Sequence, residues 1–537
     1  MRRWRWIFLL FACAVVGVTG FALGTIRSTC ELTLELVEEG STDPIPGIIR
    51  LVDASGNVLL PENLVRRGLG VRGERPILDW SVLNGRATIR LPQEKIKLKA
   101  VRGLETEMST AEFDLSGLAR AEAQITLRRF YDATAKGYAS ANTHVHLQRI
   151  GRYEAERYLQ ESSTSDELDI VFVSFLARIN EDLTYISNHF TREDFERLSS
   201  CGTLFGNGEE HRHNFNGGYE GYGHVMFLNL KKLVEPVSIG PGIMKSGTDG
   251  IPLQQGIDTA RRDGAAVVWC HNKKGIEDLP NVVTGRVDGQ NIYDSGTISG
   301  SYAETFYRYL NVGIKMPFST GTDWFIFDFG RAYGKISGKT SIDSWLGALR
   351  AGRTYITNGP LLEFDVDRQG LGETLRLSKP RTVKVRARAF GRDDFQQIEL
   401  VQNGKVVHTT GSHRTGGHHR AEFEIELPVD KPAWLALRTP VPPHGRSPEA
   451  SGAPKNIYGR LLYSHTSAIY LEVGGQNVYD SAEGKRILDE METHRAYIAK
   501  HFLFANDAER DRVLRVHDHA IERWRSYHKL KQAEPQR

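Results

Sequence analysis

The period of the apolar pattern changes twice, near residues 135 and 360, and these changes constrain the fold more than any other feature. From about Cys30 to Phe130, short runs such as Leu32-Thr33-Leu34-Glu35-Leu36 and Ala123-Gln124-Ile125-Thr126-Leu127 alternate apolar and polar residues. Side chains two apart on a strand share a face, so this pattern predicts a small antiparallel β-sandwich. From about Ala135, apolar strands such as Asp169 to Ser174 and Ala265 to Cys270 alternate with helical stretches such as Leu253 to Asp263. That texture predicts an α/β barrel or an open doubly wound sheet. After Pro360 the alternating β pattern returns, with Asn403-Gly404 as a hairpin signal between Val401 and Val406. From Ser481 the pattern turns helical. A chain of 537 residues exceeds one ordinary core. The expected segments are a signal or anchor over 1–28, a β-sandwich over 29–132, an α/β unit over 135–360, a second β-sandwich over 361–478 and a helical tail over 479–537.

Arg2, Arg3 and Arg5 precede an apolar run from Trp6 to about Leu23, with Gly20-Phe21-Ala22 as a small-x-small cleavage site. This predicts export to the periplasm or beyond, with membrane contact only through that segment if it stays uncleaved. The remaining charge is dispersed, so nothing points to a nucleic-acid partner; the partner expected is a small-molecule substrate. Outside the apolar run the cysteines are Cys30, Cys201 and Cys270, too few for a disulfide framework though enough for one bridge.

His144-Val145-His146 places two imidazoles on one side of a strand, where both can meet one cation. Other metal-ligand residue types stand at strand edges: Glu209 and Glu210 after Gly206-Asn207-Gly208, His224 before Val225-Met226-Phe227-Leu228, His271 after Cys270, and Asp323 after Thr320-Gly321-Thr322. Imidazole and carboxylate donors suit Zn, Mn or Fe. Lys273, Lys274, Arg331 and Arg353 are candidates to stabilise an anion. His211 and His213 are further site candidates, and Trp324, Phe325 and Phe327 could wall a pocket.

Asn-Thr-His-Val-His, Gly-Glu-Glu, Gly-His-Val-Met-Phe-Leu-Asn-Leu, Val-Val-Trp-Cys-His-Asn and Ser-Thr-Gly-Thr-Asp occur in this order over residues 140 to 323. The set resembles the PHP (polymerase and histidinol phosphatase) superfamily. More narrowly it is similar to the carbaryl-hydrolase-like (CehA/McbA) branch, as are Tyr309 to Gly313 and Ala351 to Pro360. The resemblance implies a PHP-type (β/α)7 barrel with metals at its mouth. It implies His144, His146 and Asp323 on a first metal, and Glu210 bridging to a second held by His224 and His271. Glu209 replaces Glu210 if the register slips by one, and Glu210 and Asp323, with Lys273 and Arg353 from beside the ligand motifs, are the expected catalytic group.

Two departures from the family pattern matter. Asn142 stands where an aspartate is usual, and Ser174-Phe175-Leu176 and Asp323-Trp324-Phe325 lack the expected histidines. One metal position is thereby removed, and two divalent ions are expected. Phe175, Leu176 and Phe325 are expected to plug the vacated volume. The function expected is metal-assisted hydrolysis of a small ester, amide, carbamate or phosphoester. The alternative is an inactive metal-binding module that recognises a ligand or partner.

Overall fold

A computed structural model describes residues 28–73, 75–213, 221–242, 247–271, 275–294, 302–443 and 452–533, without the side chains of residues 201, 303 and 304. The export segment, Lys273 and Lys274 lie outside the described residues, as does the Cys201 side chain. Among the described residues, no helix is long and apolar enough to cross a membrane. Cys30 and Cys270 are buried free thiols.

The N-terminal unit is two facing sheets. The strand Thr29–Glu38 lies between Arg86–Pro92 and Arg120–Leu127. Its alternating Cys30, Leu32, Leu34 and Leu36 pack on Ile49, Leu51, Leu98 and Ala100 of the second sheet. The sandwich is not wholly antiparallel, because Thr29–Glu38 runs parallel to Arg120–Leu127.

In the α/β unit the strand carrying the histidine pair, Tyr138–His146, is buried along its whole length. It pairs in parallel with Ile170–Phe175, which pairs in parallel with Leu204–His213. Gly223–Leu228 then runs antiparallel both to Leu204–His213 and to Ala266–Cys270. Parallel pairings continue through Gly289–Asn291 to Phe318–Ser319. The following Asp323–Trp324 pairs in parallel with the end of the histidine strand. The antiparallel Gly223–Leu228 departs from the strict strand–helix alternation of a (β/α)7 unit.

The C-terminal β segment is not separate. Ser464–Thr466 pairs with Thr354–Thr357, which extends the α/β unit's sheet into Ala433–Arg438, Gln397–Gln402 and Lys405–Gly411. A second sheet, Leu361–Val366, Arg381–Gly391, His418–Val429 and His413–Thr415, completes this region. The Asn403-Gly404 turn forms as expected, both residues having positive φ (49° and 85°). The helices Ser481–His501 and Asp507–Ala533 pack Ile487, Met491, Ile521 and Trp524 against Leu279, Val282 and Tyr309.

Buried Glu277 accepts from the backbone N–H groups of Leu253 and Gln254 at the start of the helix Leu253–Arg262 (3.1 and 2.9 Å). Burial outweighs these bonds and pushes its carboxyl up to about 7. Between about pH 4.5 and 7 the folded protein therefore holds a proton that the unfolded chain has released, and stability falls as pH rises through that interval. The expected loss is on the order of 3 kcal/mol. Urea unfolding across this range should show a shallower pH slope in Glu277→Gln than in the parent; equal slopes would refute the assignment.

Candidate metal centre

The pleat of Leu204–His213 sorts its side chains into two sets. Glu209 faces away from the histidine pair: its Oε1 lies 3.0 Å from His211 Nδ1 and its Oε2 accepts from Val234 N–H at 2.7 Å. His213 bonds Asp249 through Nε2 (2.8 Å) and stacks on Tyr222, under the C-terminal helices. His211 and His213 therefore belong to packing behind the centre. Glu210 and Arg212 point the other way, as side chains one residue apart on a strand must.

Glu210 Oε2 lies 3.1 Å from His146 Nε2 and 3.7 Å from His144 Nε2. The two Nε2 atoms are 2.9 Å apart, and Asp323 Oδ1 stands 3.4 and 3.7 Å from them. Donors on a tetrahedral ion with bonds of about 2.0–2.2 Å stand roughly 3.3–3.6 Å apart. The separations between these four buried groups, 2.9–3.7 Å, straddle that range, and the groups can hold a metal ion. Asp323 takes a left-handed backbone (φ 62°), unusual for a residue with a side chain, where the strand-end turn aims its carboxylate inward.

The other imidazole nitrogens fix the orientation. His146 Nδ1 donates to the Ser174 carbonyl (2.9 Å), and His144 Nδ1 to Asp294 Oδ2 (3.1 Å). His271 Nδ1 donates to the second oxygen of Asp294 at 2.7 Å. Each Nε2 therefore turns inward, the arrangement in which outer carboxylates and carbonyls orient metal-binding histidines. Two inward Nε2 atoms at 2.9 Å require a shared proton or a cation between them.

Glu210 Oε1 faces His224 Nδ1 (3.7 Å) and His271 Nε2 (3.8 Å), a second group that can hold an ion. A further cluster brings Cys270 beside His144, His271 and Asp294, where the Asp294 oxygens already bond both imidazoles. Burial disfavours charge on His144, but Asp323, Asp294 and Glu210 outweigh it and push the imidazole up to about 9; the same balance raises His271. Burial likewise opposes ionised Glu210, yet Arg212 and the three histidines hold its carboxyl well below the usual range. The centre thus carries carboxylate charge that draws protons or a cation.

His144, His146, Glu210, His224, His271 and Asp323 thus converge as expected. Arg353 does not join them. Its carbonyl accepts from Lys335 N–H, and Lys335 registers with Tyr138, eight residues and roughly 26 Å down the strand from His146. Arg331 is committed to the carbonyls of Phe329 and Asp166. Phe325 packs on Tyr158 (5.6 Å, edge-on) and against Gly70, where an added Cβ would meet its ring at 2.0 Å. Phe325 belongs to the core cluster of Tyr158, Val145 and Val173, which does not include Phe175 or Leu176, and Trp324 is the aromatic beside the centre, its ring centroid 5.3 Å from that of His146. Arg178 and Tyr185 flank Trp324. Phe327 lies beside Arg460.

Sequence reasoning missed Asp294 and Arg212. Asp294 follows the strand Gly289–Asn291, so the strand-edge criterion that selected His271 and Asp323 applied to it. Arg212 stands two residues from Glu210 on the same strand face.

No family model matches the chain, and no curated protein matches it. Among solved structures, a β-glucuronidase of Parabacteroides merdae is similar at 9% identity over 80% of this chain, with a TM-score of 0.16. The chain spans 60% of that structure, and likeness at this score carries no structural argument.

Proposed function

We propose that the chain is an exported metal-dependent hydrolase built on a PHP-type barrel, acting on a small ester, amide, carbamate or phosphoester. The observation that carries this reading is the convergence of His144, His146, Glu210 and Asp323 at ion-binding spacing, with both imidazoles oriented from behind. The order of the motifs and the parallel pairing of Asp323–Trp324 with Tyr138–His146 support the barrel assignment.

Zn, Mn or Fe held there would lower the pKa of a water and polarise a carbonyl or phosphoryl oxygen. Glu210 and Asp323 balance the cation's charge, and Asp294 keeps two Nε2 atoms turned inward. His271 and Asp323, with side chains 10% and 11% exposed, are the most exposed of the six; His224 is at 5% and His144 and His146 are at 0%. Substrate would approach on the His271–Asp323 side, where Trp324 offers an aromatic wall.

The chelated chain reloaded with Zn or Mn should hydrolyse at least one member of a panel of p-nitrophenyl esters, carbamates and phosphoesters, and lose that activity on re-chelation. Metal binding without turnover on any class would instead favour the ligand-recognition module. A reporter fused after residue 60 should be active outside the cytoplasm; activity only inside would refute export.

A further inference from the structure

The two ion positions differ in one respect. Arg212 NH1 donates to Glu210 Oε1 at 2.9 Å, the oxygen that faces His224 and His271. Arg212 NH2 lies 2.8 Å from His224 Nε2. Arg212 and His224 are directly paired residues on adjacent antiparallel strands, so the contact is built into the sheet register. Arg212 is 9% exposed, and its guanidinium belongs to the buried centre.

Resting on the metal-centre reading above, we infer that Arg212 takes the place of the second metal. The centre then holds one divalent ion tightly, and Glu210 joins that ion to a guanidinium. A guanidinium nitrogen only donates, so His224 Nε2 must accept. Neutral His224 then carries its proton on Nδ1, the nitrogen that faces Glu210 Oε1. A metal ligand must present a lone pair. Ligation through Nδ1 would move the proton to Nε2, where it would oppose the Arg212 N–H. The donor set of the second position is therefore closed while Arg212 stays in place. Charge acts in the same direction, because a fixed cation on Glu210 Oε1 repels a divalent ion at the same oxygen. At the first position no arginine is bonded to His144, His146 or Asp323 among the described contacts, and His144 and His146 have their Nδ1 atoms on acceptors.

The test is titration of the demetallated full chain with Zn²⁺ by calorimetry, with Co²⁺ and its visible spectrum as a second probe. The parent should bind one equivalent tightly and a second on the order of 100-fold more weakly. Arg212→Met should bring the second equivalent close to the first in affinity, and Arg212→Lys should keep the parent's pattern. Two equivalents of equal affinity in the parent, or an Arg212→Met titration identical to the parent's, would overturn the inference and leave the metal centre standing. If Arg212→Met does not fold, His224→Ala decides: it should leave the one tight equivalent unchanged, and loss of a tight equivalent overturns the inference. No metal uptake by folded parent protein would overturn the metal-centre reading itself.

Discussion

Glu210→Gln is expected to weaken binding of the tight metal ion by at least about 100-fold, while Glu209→Gln leaves it unchanged. Changes to outer-shell partners cost about 10–100-fold in metal affinity, and Glu210 stands within the ligand group itself, 3.1 Å from His146 Nε2. The amide removes a charge and turns two donor hydrogens toward a cluster that needs acceptors. It also leaves the buried Arg212 guanidinium without its carboxylate. Glu209 spends both oxygens on His211 and Val234 on the opposite face of the strand. Chelator competition with Zn²⁺, on protein shown folded by circular dichroism, makes the measurement. Metal loss from the Glu209 variant with retention in the Glu210 variant would show that the strand's faces are reversed.

The second large effect is expected at Asp294. This fully buried carboxylate accepts from His144 and His271 on separate oxygens, and from Asn291 Nδ2 at 3.1 Å. Although burial opposes its charge, the two histidines hold its carboxyl below the usual range. Asparagine offers one acceptor oxygen and one NH₂ donor. One imidazole would have to accept at Nδ1 and carry its proton on Nε2, pointing into the centre. Asp294→Asn should therefore weaken metal binding about 100-fold, at the upper end of what an outer-shell partner contributes. Asp294→Glu tests the same idea with the acceptors kept but displaced, and should recover part of the loss. Metal affinity within threefold of the parent in Asp294→Asn, measured by the same competition, would remove Asp294 from the orienting role.

The centre's residue types were legible before the fold was known, but their roles were not equally so. That His144 and His146 face together follows from strand geometry, since i and i+2 must share a face. The same rule separates Glu209 from Glu210 without saying which looks inward. That depends on the strand's neighbours, Ile170–Phe175 and Gly223–Leu228, and on what lies across the centre. Arg353 looked like a site residue through its motif, yet register with Lys335 carries it toward the far end of the histidine strand. Asp294 gave little warning because a single acid after a three-residue Gly-Gln-Asn strand with no apolar pattern resembles many surface residues.

The sequence by itself determined where the chain alternates, where it turns and which side chains along one strand face together. These depend on backbone period and on the φ preferences of residues such as Asn403 and Gly404, which act over a few neighbours. Only the tertiary structure decided that Trp324 rather than Phe325 borders the centre, that Asp294 orients two histidines 150 and 23 residues away, and that Arg212 meets His224. Such pairings rest on strand register and on loops brought together from distant points in the chain. Register is settled by the simultaneous burial of many apolar side chains, so no local stretch of sequence contains it.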